Sequence, residues 1–152
     1  MTAEPPQPEP HEYAAFTAWR MFLQVHTVLT QQLDRALQDR AGMPLSWYDI
    51  LVHIGEAPHS RIRSRELEDR VFVSQSTVSR LAAKMEQAGL VTRTVPADDR
   101  RAVEIELTDA GGRSLRRARE TAIEVIRRRF VTALHGDDAE HLLRILQTLR
   151  RH

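Results

Sequence analysis

The apolar period of this sequence changes at one residue, Gly89, and that change limits the folds open to the chain. Before it, Val78, Leu81, Ala82 and Met85 recur at helical spacing behind Ser74, a residue type suited to capping a helix. After it, Val103, Ile105 and Leu107 alternate with Glu104 and Glu106, the pattern of a half-buried strand. The spacing predicts a helix over 75–88, then strands over 90–95 and 102–107 joined by a charged turn over 96–101. Upstream, Ser64 is placed to cap a short helix over 65–71, and Phe72 and Val73 make an apolar turn before Ser74. A short helix, a tight turn, a second helix and a hairpin is the order of a helix-turn-helix followed by a wing.

The flanks read differently. Residues 1–10 carry four prolines and two glutamates without an apolar period, and are expected to form a disordered tail. A long helix over 11–40 closes at Gly42 and Pro44, and a second helix opens near Leu45 with Ser46 as its expected cap and Ile50, Leu51 and Ile54 inward. Arg61 to Arg63 read as a short extended link. Thr108 is the expected cap of a fifth helix running to about Leu134, and a sixth, with Leu142, Ile145, Leu146 and Leu149 on one stripe, follows Gly136. The fold class is therefore mainly α with a small β-hairpin wing (α+β). A winged helix-turn-helix lobe over 45–108 lies between long N- and C-terminal dimerisation helices over 11–44 and 109–152, all in a single domain over 11–152. Terminal helices this apolar offer more surface than one subunit can cover, so a homodimer is expected.

Composition narrows function by exclusion. The 152 residues contain no cysteine, which removes disulfides, thiolate metal sites and thiol nucleophiles together. Neither a glycine-rich phosphate loop, a His-Glu-x-x-His helix nor a Gly-x-Ser-x-Gly elbow occurs, so no enzyme and no cofactor is expected. No apolar run approaches the roughly 20 residues of a membrane helix, and no charged-then-apolar leader opens the sequence, which predicts a cytoplasmic protein with no membrane partner. The net charge of +1 averages an acidic N-terminal arm over basic stretches from Arg61 to Arg101 and from Arg113 to Arg129.

The polar residues of the second helix of the pair carry the functional reading. Ser74, Gln75, Ser76, Thr77 and Ser79 present small hydroxyls and an amide, which let a helix end approach base edges closely, and Gln can pair bidentately with adenine. Arg80 and Lys84 fall on later turns, where cations meet backbone phosphates and set register. At the hairpin tip Arg100 and Arg101 suit the narrow minor groove, while Asp99 beside them anchors an arginine, because a carboxylate facing phosphate is repelled. Arg63, Ser64 and Arg93 complete the candidate contact set for double-stranded DNA. Two alternatives compete: a metal-responsive regulator using His53, Glu56 and His59, weakened because Pro58 breaks the helix between the last two, and a protein-interaction module that does not bind DNA.

The stretches Ser64-Arg65-Glu66-Leu67, Ser74 to Leu81, Met85 to Val91, Asp99-Arg100-Arg101 and Leu107-Thr108-Asp109-Ala110-Gly111 resemble the MarR family of bacterial regulators. The resemblance runs from about His11 to the C-terminus. It implies a triangular homodimer joined through its first, fifth and sixth helices, repression of nearby genes, and release from DNA by a small anionic aromatic effector. The family's wing pair of Asp and Arg falls on Asp99 and Arg101. In this fold ligands wedge between the dimer helices and the DNA-binding lobe, which directs attention to Trp19, Arg20 and His26 as an aromatic wall, a guanidinium and an imidazole.

Overall fold

A computed structural model describes residues 9–71, 74–97 and 99–151. The long first helix, α1, spans Pro10–Ala41. Its start is fixed by a capping box in which the Glu9 backbone N–H donates to Glu12 Oε2 at 2.8 Å, and by Pro10 at the first helical position, where a missing N–H costs nothing. Of the stretch expected as a tail, Pro10 belongs to the helix and Glu9 is its N-cap, while residues 1–8 lie outside the described residues. Gly42, at φ 69°, ends α1 in the left-handed conformation.

Helix α2 spans Leu45–Glu56. Ser46 does not cap it, because the helix has already begun at Leu45; instead Asp34 of α1 reaches across and its Oδ1 accepts the Leu45 N–H at 2.7 Å. A tertiary contact has replaced the local cap, and short-range pattern cannot reveal such a contact. Helix α3, Ser64–Val71, likewise begins with Ser64 itself, whose hydroxyl donates to Glu68 rather than capping. Helix α4, Gln75–Gln87, begins as expected behind Ser74, and the expected turn at Phe72 and Val73 lies outside the described residues.

The link Arg61–Arg63 is a strand, β1, and makes the hairpin of β2 (Val91–Thr94) and β3 (Glu104–Leu107) into a three-stranded antiparallel sheet of order β1-β3-β2. Ile62 pairs with Ile105 and both are buried, which pins the register of a strand too short to be read from alternation. Strands β2 and β3 are each shorter than expected because Val95, Ala102 and Val103 belong to the tip rather than the ladder. Together α2, α3, α4 and the sheet enclose one core built on Leu51, Ile54, Leu67, Val78, Met85 and Ile105, to which α1 contributes Leu37 and the next helix Leu115 and Ala118.

Helix α5 spans Asp109–Arg129 and lies along α1. It stops before the expected Leu134, giving way to a single 3-10 turn at Val131–Ala133, and α6 follows at Asp138–Arg150. Thr108 caps α5: its hydroxyl accepts the Gly111 N–H at 2.9 Å and donates to the Gly89 carbonyl at 2.7 Å, while its own N–H donates to the Leu90 carbonyl at 3.1 Å. Gly111 is buried against the same turn, and a Cβ there would fall 1.9 Å from the Leu90 carbonyl oxygen. No described helix is long and apolar enough to cross a membrane.

Two neighbouring glycines therefore have opposite requirements. Gly111→Ala forces the backbone of Leu90 to move and is expected to cost about 1–3 kcal/mol, as overpacking does. Gly112→Ala meets only the Arg116 guanidinium at 3.7 Å, and is expected to be neutral or to stabilise by roughly 0.5–1 kcal/mol through helix propensity. Urea unfolding of the two variants checks this, and equal midpoints would refute the role given to Gly111.

Candidate nucleic-acid interface

Helix α4 is oriented by what it buries. Val78, Ala82 and Met85 enter the core, so Ser74, Gln75, Ser76, Ser79, Arg80 and Lys84 face outward and are exposed, with Thr77 half-buried between the two sets. The Ser74 hydroxyl accepts the Thr77 N–H at 3.4 Å and lies 2.9 Å from Thr77 Oγ1 and 3.1 Å from Ser76 Oγ. Three hydroxyls are thereby gathered at the helix N-terminus, where backbone N–H groups and the helix dipole favour an anion such as phosphate.

Between this helix and the hairpin lies a cleft of about 810 Å³, with Gln75 and Ser79 on one wall and Arg63, Ser64, Arg93, Asp99 and Arg101 around the rest. Glu68 and Arg65 of α3 also line it; the sequence reading did not include them. At the tip Asp99 Oδ1 accepts the Arg101 backbone N–H at 3.0 Å, and Asp99 Oδ2 stands 4.0 Å from Arg63 Nη1. Asp99 thus ties the tip to β1 and leaves the Arg101 side chain exposed, as is that of Arg100. Arg63 also faces Glu104 at 3.9 Å.

Arg93 differs from the other cations. Along β2 it shares a face with buried Val91 and stands opposite buried Ile105, so its side chain turns in toward α4. There Glu86 takes its Nε at 2.9 Å and Nη2 at 2.7 Å on one oxygen and its backbone N–H at 3.0 Å on the other. Those hydrogen bonds hold the Glu86 carboxyl below the usual carboxylate range. Sequence reasoning placed Arg93 among the candidate DNA contacts, and it does line the cleft, but that reasoning passed over Glu86, which holds it there. The signal that could have joined them is the period-2 pattern Val91-x-Arg93, which puts the arginine on the apolar face of its strand.

The residues singled out for a ligand stand apart from this cleft. Trp19, Phe22 and His26 form an exposed ladder along the first half of α1, with ring centroids 6.3 and 6.4 Å apart, and Arg20 is exposed beside it. A shallow cavity of about 520 Å³ lies farther along α1, where it meets α2, lined by Thr30, Gln31, Asp34, Leu45, Ser46 and Asp49. Its two carboxylates disfavour an anion. His53 faces Asp49 at 3.7 Å and Glu56 faces Arg119 at 3.8 Å, and among the described residues no group of three or more His, Cys, Asp or Glu is arranged to hold a metal ion.

Comparison with known proteins agrees with this architecture. A family model described as MarR family matches residues 41–102. Among solved structures, AbsC, a MarR family transcriptional regulator from Streptomyces coelicolor, is 31% identical with a TM-score of 0.87, over 97% of each chain. Sco3205, another MarR family regulator of that organism, solved in complex with DNA, is 30% identical with a TM-score of 0.87, over 96% of this chain and 90% of its own. The HTH-type transcriptional repressor MdtR of Bacillus subtilis is 36% identical over 53 residues, so the match spans 35% of this chain and about a third, 34%, of that repressor. The fold is the winged helix-turn-helix expected of its sequence, and the chain belongs to the MarR family of transcription regulators, which are not enzymes.

Proposed function

We propose that this chain binds a pseudo-palindromic DNA operator as a homodimer, acts as a repressor, and is released by a small anionic aromatic ligand. One observation carries the DNA reading: Gln75 and Ser79, on the exposed face of α4, and Arg101 at the tip of the wing border the same open cleft. With Gln75, Ser76 and Ser79 against base edges in the major groove, Arg101 reaches the adjoining minor groove and Arg80 and Lys84 meet phosphates. Sco3205, of the same family, is a DNA-bound relative, and MdtR bears the name of a repressor, which supports that direction of control. A chromosomal target places the protein in the cytoplasm.

The dimer follows from uncovered apolar surface. None of the residues of α6 is buried, although Leu143, Ile145, Leu146 and Leu149 are apolar, and Leu149 is 64% exposed. A helix of 13 residues is marginal by itself in water, so α6 needs a surface to pack on. Tyr13 and Phe16 of α1 are exposed as well. A second copy joined through α1, α5 and α6 covers both sets, and two-fold symmetry then sets the recognition helices one helical turn of DNA apart, roughly 34–36 Å, or a multiple of it. The effector reading rests on the ladder of Trp19, Phe22 and His26 with the Arg20 guanidinium beside it, a face able to stack an aromatic ring and pair its charge.

Three measurements test these points. Binding to genomic fragments selected by the protein is expected to weaken steeply with salt; Arg101→Ala, which removes one cation from each half-site of the dimer, should reduce the salt slope by about 2, whereas Gln75→Ala should cost roughly 1–3 kcal/mol per half-site and relax the sequence preference. Salt-independent binding, or retention of proteins alone, would point to an interaction module instead. Sedimentation should give twice the chain mass, and Leu146→Asp with Leu149→Asp should yield monomer; a monomeric intact protein would remove the symmetry argument. Release of DNA by phenolic acids should be weaker for Arg20→Ala, and equal release from both proteins counts against Arg20.

A further inference from the structure

We propose that Glu86 is a positioning residue that fixes the wing against the recognition helix, and so sets how sharply the protein distinguishes its operator from other duplexes. The inference rests on the DNA-binding reading above. Glu86 lies in the last turn of α4, and the chain then reverses at Gly89, at φ 74°, to enter β2. In the sheet order β1-β3-β2 this strand is an edge, so the N–H groups on its outer side have no ladder partner. One of them, on Arg93, is taken by Glu86 at 3.0 Å, and the same carboxylate holds the Arg93 guanidinium through two bonds. Three hydrogen bonds thus span the reversal and join helix to strand on the side away from β3.

The arrangement matters because the hairpin is a lever. Its base is held at Glu86 and its tip carries Arg101, which shares the cleft with Gln75 and Ser79. A change of angle at the base alters the distance between the arginine tip and the hydroxyl-bearing turn, and with it the ability to occupy neighbouring grooves together. As a source of stability the pair contributes little, since both side chains are about a third exposed, 32% and 37%. Its forked geometry supplies orientation instead. The pairing also fixes the Arg93 guanidinium at the wall of the cleft, so this cation is tied to the helix whatever it meets there.

Charge and position predict opposite signs for two variants, which makes the proposal decidable. Glu86→Gln removes a negative charge near the DNA face, and Arg93→Gln removes a positive one. If only charge matters, the first strengthens binding to every duplex and the second weakens it. If position matters, both lose operator affinity in the same direction, and the double variant is no worse than either single one. Full-length protein would be titrated with a labelled duplex carrying the fragment that the intact protein selects, and with a scrambled duplex of equal length. Each variant is expected to bind the selected duplex about tenfold more weakly, the loss of one charge-assisted contact, with the scrambled duplex changed by less than about twofold. Melting temperatures close to that of the intact protein should accompany this. Opposite signs for the two variants, or unchanged discrimination in either folded variant, would overturn the role of Glu86 while leaving the DNA reading intact. Intact protein that binds neither duplex would overturn both.

Discussion

The recognition helix and the long helix α5 are bolted together through a few backbone atoms. The turn Gly89-Leu90, where α4 ends, offers its two carbonyls to Thr108, one to the hydroxyl and one to the N–H, and Gly111 presses on the same turn without a Cβ between. The N–H of Leu90 in turn donates to the Met85 carbonyl, so the turn is itself anchored to α4. Nothing in this linkage is a long, rotatable side chain. Close-packed backbone contacts transmit displacement instead of absorbing it, so a tilt of α5 becomes a tilt of α4. In the dimer proposed above, that coupling would let an effector that favours one orientation of α5 change the spacing of the two recognition helices.

The elements that could be read in the sequence were those with local causes. Ser74 and Thr108 cap their helices because their hydroxyls reach an N–H three residues on, and Gly89 ends α4 because a left-handed residue is required there. What escaped had distant causes. The cap of α2 comes from Asp34, eleven positions before Leu45, and β1 is a strand only because Glu104 to Leu107 offers it a partner. Within the candidate site the same division holds. The outward face of α4 follows from the burial of Val78, Ala82 and Met85, while the pairing of Arg93 with Glu86 depends on how the strand folds back over the helix.

Arginine is used here in two ways that a count of charges merges. Arg61 is held by Glu106 at 2.8 Å, Arg40 by Glu124 and Arg70 by Glu66, each fastening one element or joining two. Arg100 and Arg101 instead sit exposed at the end of the hairpin, with Asp99 shaping the backbone beneath them. The net charge of +1 is therefore a poor guide to the field at the cleft, because many carboxylates are already committed to structural cations.

The central place of β3 in the sheet has a consequence for how the protein is made. Arg61 pairs with Glu106, 45 residues away, and all of α3, α4 and β2 lies in the loop which that pairing closes. During synthesis the recognition helix is made before the strand that completes its seat, so until then its inner face of Val78, Ala82 and Met85 has only the preceding elements to pack on. The sheet can therefore close only when Ile105 reaches Ile62, and the core of the lobe only when Leu115 and Ala118 follow.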